Sequence, residues 1–156
     1  MGIKKSDMTI LVDTREKKPL TFHHARTKEA SLQTGDYSLE HFADRITIER
    51  KSLPDLLGSL SGERKRFMAE VQRMRAYEYA AIIIESSLAD IYRGAWRNDI
   101  SVASVVGSLQ ALSAKYGVHV LFACDREITA LTVEGLLYQF LQKQRDYWER
   151  IKAYLS

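Results

Sequence analysis

One cysteine, Cys124, stands alone in 156 residues. It has no partner for an internal disulfide, which excludes a disulfide-stapled secreted framework and points to a reducing compartment. The only prolines are Pro19 and Pro54, and no Pro/Gly/Ser-rich linker, repeat or low-complexity tract divides the chain. No apolar run approaches the ~20 residues of a membrane span. The N-terminus, MGIKKSD, is basic but lacks the apolar stretch of a secretory signal. The expectation is a soluble, intracellular protein: cytoplasmic or nucleoid-associated in a prokaryote or virus, nuclear in a eukaryote. Neither sign of charge dominates, since 23 Lys and Arg against 20 Asp and Glu leave a net charge of +3. That mildly basic balance suits a nucleic-acid partner, and many ordinary enzymes share it. What the chain does have is a 46% share of hydrophobic residues, enough at this length for one globular domain with a proper core.

Hydrophobic periodicity predicts alternating strands and helices. MTILVD, Met8 to Asp13, is a mostly apolar strand, and residues 17–34 read as a polar loop. DYSLEHF and DRITIERK pair as a hairpin, because Ile46, Ile48 and Arg50 alternate with Thr47, Glu49 and Lys51. Ser52 is an N-cap signal, with Pro54 and Asp55 in the first turn of a short helix ending near Leu60. A second helix opens at Ser61 or Gly62 and carries Phe67, Val71 and Met74 at helical spacing. YAAIIIE, Tyr79 to Glu85, is a continuous apolar run, as in a strand buried on both faces. Ser101 to Tyr116 is amphipathic, with Val105, Leu109 and Leu112 on one face and Gly117 at its end. VHVLFA is a further strand, and Asp125 caps a long C-terminal helical segment over 126–155. This order predicts an α/β fold, a mixed sheet flanked by helices in a single domain.

The charged residues on this frame raise a chemical possibility. Side chains alternate along a strand, so Glu49 and Lys51 point to one face and Arg50 to the other. Asp36 starts the neighbouring strand of the hairpin and Asp13 ends the first strand. Asp13, Asp36 and Glu49 could converge at one end of the sheet, with Lys51 beside them. Three carboxylates in one spot repel unless a cation neutralises them, and hard oxygen ligands suit Mg²⁺ or Mn²⁺. Such a site serves metal-assisted attack on a phosphodiester. Each piece alone has a plainer explanation: Glu-x-Lys as a surface ion pair, Gly-Asp-Tyr as a turn, Asp55 as a favourable charge at a helix start. Only the ordered combination argues for a site.

VDTRE at Val12 to Glu16, GDY at Gly35 to Tyr37 and ERKSLPD at Glu49 to Asp55 resemble the nuclease domain of the XPF-type structure-specific endonucleases. That family's signature is Gly-Asp, a variable gap, Glu-Arg-Lys, three residues and Asp. The resemblance continues through RFMAEVQRMRAYEYAAIIIES and SLQALSAKYGVHVLFACDRE, covering about residues 8 to 140. It implies a restriction-endonuclease-like fold, divalent-metal hydrolysis of phosphodiesters, and branched or flapped DNA as substrate. It assigns active-site roles to Asp13, Glu16, Asp36, Glu49, Arg50, Lys51 and Asp55. The family's tandem helix-hairpin-helix module and a helicase phosphate loop are not recognisable, which leads to the expectation of a free-standing nuclease domain. The resembled enzymes pair through their nuclease domains, and residues 136–155 are rich in apolar groups such as Leu137, Tyr147, Trp148 and Ile151, so a homodimer is expected. The alternative is that this helix packs on its own sheet.

DNA contacts then come from the domain itself or from a protein partner. Arg64, Lys65 and Arg66 at a helix start suit phosphates, or simply a solvated helix face. Trp96 and Arg97 suit stacking and phosphate contact with unpaired strands, and Trp96 equally suits core packing. His23 and His24 read as surface residues and Cys124 as a small buried side chain. The leading function is an endonuclease for branched or partly single-stranded DNA. The alternatives are a junction- or duplex-cutting nuclease of the same fold and a catalytically inactive DNA-binding or scaffold subunit.

Overall fold

The computed structural model describes residues 2–156. Among them, six strands form one mixed sheet: β1 (Thr9–Asp13), β2 (Arg26–Ala30), β3 (Tyr37–Leu39), β4 (Ile46–Ser52), β5 (Tyr79–Glu85) and β6 (His119–Ala123). Their order across the sheet is β2-β1-β3-β4-β5-β6. The pairs β1–β2, β4–β5 and β5–β6 are parallel, and β3 runs antiparallel to both of its neighbours. The helices are α1 (Leu53–Leu60), α2 (Arg64–Met74), α3 (Leu88–Arg93), α4 (Val102–Ala114) and α5 (Arg126–Leu155).

The apolar run of β5 explains the layering. Ile82 and Ile84 point into a core with Leu56, Val71, Met74 and Leu109 of α1, α2 and α4, while Ile83 points to the other side. There it joins Ile10, Tyr37 and Ile48 under Val133, Leu137 and Phe140 of α5. A strand with period-2 side chains and helices on both faces must be apolar throughout. The expected caps are in place. Ser52 Oγ accepts the Asp55 N–H, Ser101 accepts that of Ser104, and Asp125 accepts that of Ile128.

Three sequence expectations need correction. Residues 17–34 are not all loop, because Arg26–Ala30 form edge strand β2. Its residues Arg26 to Glu29 are exposed, so it carries no apolar alternation and is held by backbone pairing to β1. The short helix α3 also went unpredicted, being only six residues long. Cys124 is exposed rather than buried, since it lies just past the end of β6.

Glu134 of α5 anchors the approach to β2. Its buried carboxylate accepts the N–H groups of His24 and Ala25, each at 2.9 Å, and faces His24 Nδ1 at 3.0 Å. Burial opposes its charge, but these donors outweigh burial and hold the carboxyl below its usual range. His23 and His24 are exposed, as expected. Helix α5 is divided: its residues up to Phe140 pack on the sheet, whereas Tyr147, Trp148, Ile151, Tyr154 and Leu155 are exposed. No helix among the described residues is long and apolar enough to cross a membrane.

Candidate active site

The start of β3 meets the end of β4 near the middle of the sheet. Asp36 sits one residue before β3 and is fixed at both ends. Its N–H donates to the Ile48 carbonyl at 2.9 Å, and its Oδ2 accepts the Arg50 N–H at 2.8 Å. Those bonds set the carboxylate beside Glu49. Gly35 makes the approach possible, with φ at +80° and so little room that a Cβ would lie 2.0 Å from Thr47 Oγ1. Tyr37 completes the motif from the other side of the strand: its ring is fully buried and its hydroxyl accepts the Leu20 N–H at 2.8 Å.

Glu49 and Lys51 share one face of β4, with Lys51 Nζ 3.4 Å from Glu49 Oε1. Their side chains are only 12% and 11% exposed, and Nζ lies 5.1 Å from the centre of the Phe67 ring. Burial pushes the Asp36 carboxyl up to about 6, against the Arg50 N–H that favours its charged form. Burial also lifts Glu49 well above the usual carboxylate range, reinforced by repulsion from Asp36 and from Glu70 of α2. Two half-buried carboxylates with hard oxygen donors, and a lysine 3.4 Å from one of them, fit a small divalent cation. The cavity they line measures about 260 Å³.

The third expected carboxylate is differently employed. Asp13 borders the same cavity, but Oδ2 accepts the Arg15 Nε–H at 2.8 Å and Oδ1 accepts the Leu32 N–H at 2.9 Å. These bonds overcome the cost of burial and keep Asp13 below its usual range. Asp13 thus ties the loop after β1 to the segment after β2. Among the described residues no three His, Cys, Asp or Glu side chains form a group able to hold a metal. The three expected carboxylates do border one cavity, with Asp13 also bonded to Arg15 and to the Leu32 N–H.

On the opposite face, Arg50 joins Glu16 and Glu85, each at 3.1 Å. Tyr37 Oη lies 3.4 Å from Glu16 Oε2 and donates toward it. Arg50 and Glu16 therefore brace the loop after β1 against the ends of β4 and β5. Asp55 is exposed in the first turn of α1 and borders a wider groove of about 1120 Å³, which also reaches Asp36, Glu49 and Lys51.

The expected DNA-contact residues scatter. Arg66 borders the Asp36–Glu49 cavity, and so does Arg73, which the sequence reading missed. Arg64 turns away, donating to Ser108 Oγ at 3.3 Å, and Lys65 and Arg97 lie outside both cavities. Trp96 is half-buried against the α1–α2–α4 core, and its indole N–H donates to the Ile100 carbonyl at 3.0 Å. That is packing, not a free stacking platform. Glu70 and Glu85 were also missed. A signal for Glu70 existed in the Arg66–Glu70–Arg73 spacing, which places all three on one flank of α2 beside the buried Phe67–Val71–Met74 face.

Comparison with known proteins fits this geometry. XPF from Aeropyrum pernix is 26% identical, with a TM-score of 0.68 over 83% of this chain and 59% of that one. XPF from Aeropyrum pernix in complex with DNA is 27% identical, with a TM-score of 0.68 over 88% of this chain and 66% of that one. The chain thus spans less than two thirds of either structure's length. The sheet and its flanking helices have the XPF nuclease fold. No curated protein matches. Residues 12–136 match the family model of the ERCC4 domain, which runs from the end of β1 through most of the packed half of α5 and includes every side chain of the Asp36–Glu49–Lys51 site, and the chain belongs to the ERCC4 domain family.

Proposed function

We propose that this chain hydrolyses phosphodiester bonds in branched, flapped or forked DNA at the Asp36–Glu49–Lys51 site, with Mg²⁺ or Mn²⁺ as cofactor. The observation that supports it best is that the half-buried carboxylates of Asp36 and Glu49 border one cavity at the β3–β4 junction, Asp36 fixed by the Arg50 N–H and Glu49 3.4 Å from Lys51 Nζ. Membership of the ERCC4 domain family and the similarity to an XPF solved with DNA point the same way. Asp36 and Glu49 would hold the cation, with the backbone carbonyl of Arg50 as a further oxygen. When bound, it supplies Lewis-acid polarisation of the phosphate and a more acidic water.

The chain's own groups supply position and charge. Lys51 Nζ, seated over Phe67 and 3.4 Å from Glu49, is a fixed cation for the attacking water or the scissile phosphate. The buried walls around it lower the local dielectric and strengthen that interaction. Arg50, held by Glu16 and Glu85, keeps the end of β4 in place from the other face. Arg66 and Arg73 at the cavity rim suit flanking phosphates. The exposed apolar turns of α5 suit a second copy of the chain.

The test is Asp36→Asn with Mg²⁺ and labelled flap, fork, junction and duplex DNAs. Cleavage falls roughly a thousandfold or more, as loss of several kcal/mol of charge stabilisation requires, while the fold and DNA binding persist. Wild-type rates from this variant would show that the site lies elsewhere.

A further inference from the structure

Strands β1, β4, β5 and β6 run the same way, so their carboxyl ends lie along one edge of the sheet, together with the start of antiparallel β3. That edge carries Asp36, Glu49 and Lys51, and it also receives the segments that leave β1 and β6. The two segments are tied together there. Arg126, the first residue of α5, donates from Nη2 to the Lys18 carbonyl at 2.7 Å and to the Pro19 carbonyl at 2.6 Å. Arg50 also donates to the Lys18 carbonyl at 3.4 Å, the Lys18 N–H donates to Glu16 Oε1 at 3.0 Å, and the Leu20 N–H donates to the Tyr37 hydroxyl. The backbone of this polar stretch is therefore fixed from three elements, while the Lys17 and Lys18 side chains stay exposed. A merely solvated pair of lysines needs no such frame.

Lys17, Lys18 and Arg126 line the wider groove that opens from the site. Among the described residues none of the three is in an ion pair, and the partners of Arg126 are neutral carbonyls, so this wall keeps its full charge. Asp55 and Glu63, at the start of α1 and before α2, line the same groove and are likewise in no ion pair. The groove shares Asp36, Glu49 and Lys51 with the smaller cavity, whose rim holds Arg66 and Arg73 of α2. Since α2 covers one face of the sheet and α5 the other, cations reach the site from both helical layers.

We propose that Lys17, Lys18 and Arg126 form a phosphate-binding subsite for an unpaired DNA strand, continuous with the Asp36–Glu49–Lys51 site, and that Arg126 positions it by holding the 18–19 backbone. The proposal rests on reading that site as one that cuts DNA, and it adds where the unpaired part of a branched substrate lies. A single strand can lay its phosphates along the basic residues and turn its bases toward the rest of the groove. A duplex carries phosphates on both backbones and would bring one of them to Asp55 and Glu63, where like charges repel.

The experiment is fluorescence-anisotropy binding in EDTA, so that no DNA is cut, over a series of KCl concentrations. The probes are a blunt duplex and the same duplex with an unpaired arm of either polarity. On single strands each phosphate neutralised contributes about 0.7 to the slope of log affinity against log salt. The double variant Lys17→Gln, Lys18→Gln should therefore lower the slope by about 1.4 on at least one armed DNA, and by less than about half as much on the blunt duplex. Arg126→Lys keeps the charge but lacks the planar fork that spans two carbonyls. It should also lower the armed-DNA slope, with the fold retained by circular dichroism. Lys115→Gln is the control: an exposed lysine between α4 and β6, at the opposite edge of the sheet, whose slopes should match the wild type's. An unchanged slope for the double variant overturns the proposal. So does an equal loss on armed and blunt DNA, which removes the assignment to an unpaired strand, and so does an equal loss from Lys115→Gln, which marks a general field. A wild-type slope for Arg126→Lys overturns its positioning role. Binding is read without cleavage, so each of these failures leaves the nuclease reading standing. Failure of the Asp36→Asn test rejects that reading and leaves the binding slopes as they are.

Discussion

Replacing Gly35 by alanine tests how the Gly-Asp-Tyr motif works. The backbone there has φ +80°, and an added Cβ would lie 2.0 Å from Thr47 Oγ1 and 3.2 Å from the Ile48 carbonyl. The first problem is conformational, since a left-handed backbone costs an alanine about 1–2 kcal/mol. The second is steric. Thr47 is fully buried, and its hydroxyl donates to the Thr34 carbonyl at 2.9 Å, so it cannot swing aside without losing that bond. Forcing a methyl into such a site costs a further 1–3 kcal/mol or so. Gly35→Ala should thus lose about 3 kcal/mol in urea unfolding followed by circular dichroism, at unchanged denaturant slope. Thr47→Ala opens the space, and in the double variant the two losses should fall short of additive by about 1–2 kcal/mol. A cost below about 1 kcal/mol for Gly35→Ala, or strict additivity in the cycle, would refute the claim that β4 sets the need for glycine.

Glu134→Gln should cost about 2 kcal/mol at neutral pH, because a charged acceptor of backbone N–H groups becomes a neutral one. The folded state holds this carboxyl below its usual range, so its contribution is complete above the unfolded-state value near 4.3 and is lost as pH falls through the lower folded value. The gap between variant and wild type should close below about pH 4 in denaturant melts, and a gap unchanged down to about pH 3 would remove Glu134 from that role. Sedimentation at micromolar concentration should show a dimer that Trp148→Glu disrupts, and a strictly monomeric wild type would dismiss the α5 face as an interface. Arg73→Gln should reduce the salt slope of fork-DNA binding by about 1, whereas an unchanged slope would place the phosphates elsewhere.

Local signals in the sequence were legible where they had a local cause. The β5 strand needs apolar residues on both faces and shows them without a break. Ser52, Ser101 and Asp125 cap their helices through a partner three residues on, so each cap is visible within one turn. β2 was hidden because an edge strand packed through its backbone needs no apolar side chains. α3 was hidden by its length. At the site, Asp36, Glu49 and Lys51 were legible as a constellation because one hairpin carries all three. Asp13 was placed correctly beside them by strand order, but strand order does not tell what its oxygens bond. The bond from Leu32, nineteen residues away, is invisible in a linear pattern. Glu70 and Glu85 come from α2 and β5, and only folding brings them to Glu49 and Arg50.

Along β4, alternate residues have opposite duties. Glu49 and Lys51 serve the cavity, and Arg50 between them serves the ion network behind it. Seven matched pairs with β5, from Ile46↔Tyr79 to Ser52↔Glu85, decide which is which. A slip of a single residue would turn Arg50 into the cavity and send Glu49 and Lys51 to the rear. It would also strip Glu16 and Glu85 of their partner. No misregistered form can therefore keep its brace while losing its chemistry, or keep its chemistry while losing its brace. If the chain cuts DNA as proposed, this makes error safe: a chain paired wrongly is both unstable and inert, and only the fully aligned sheet is armed.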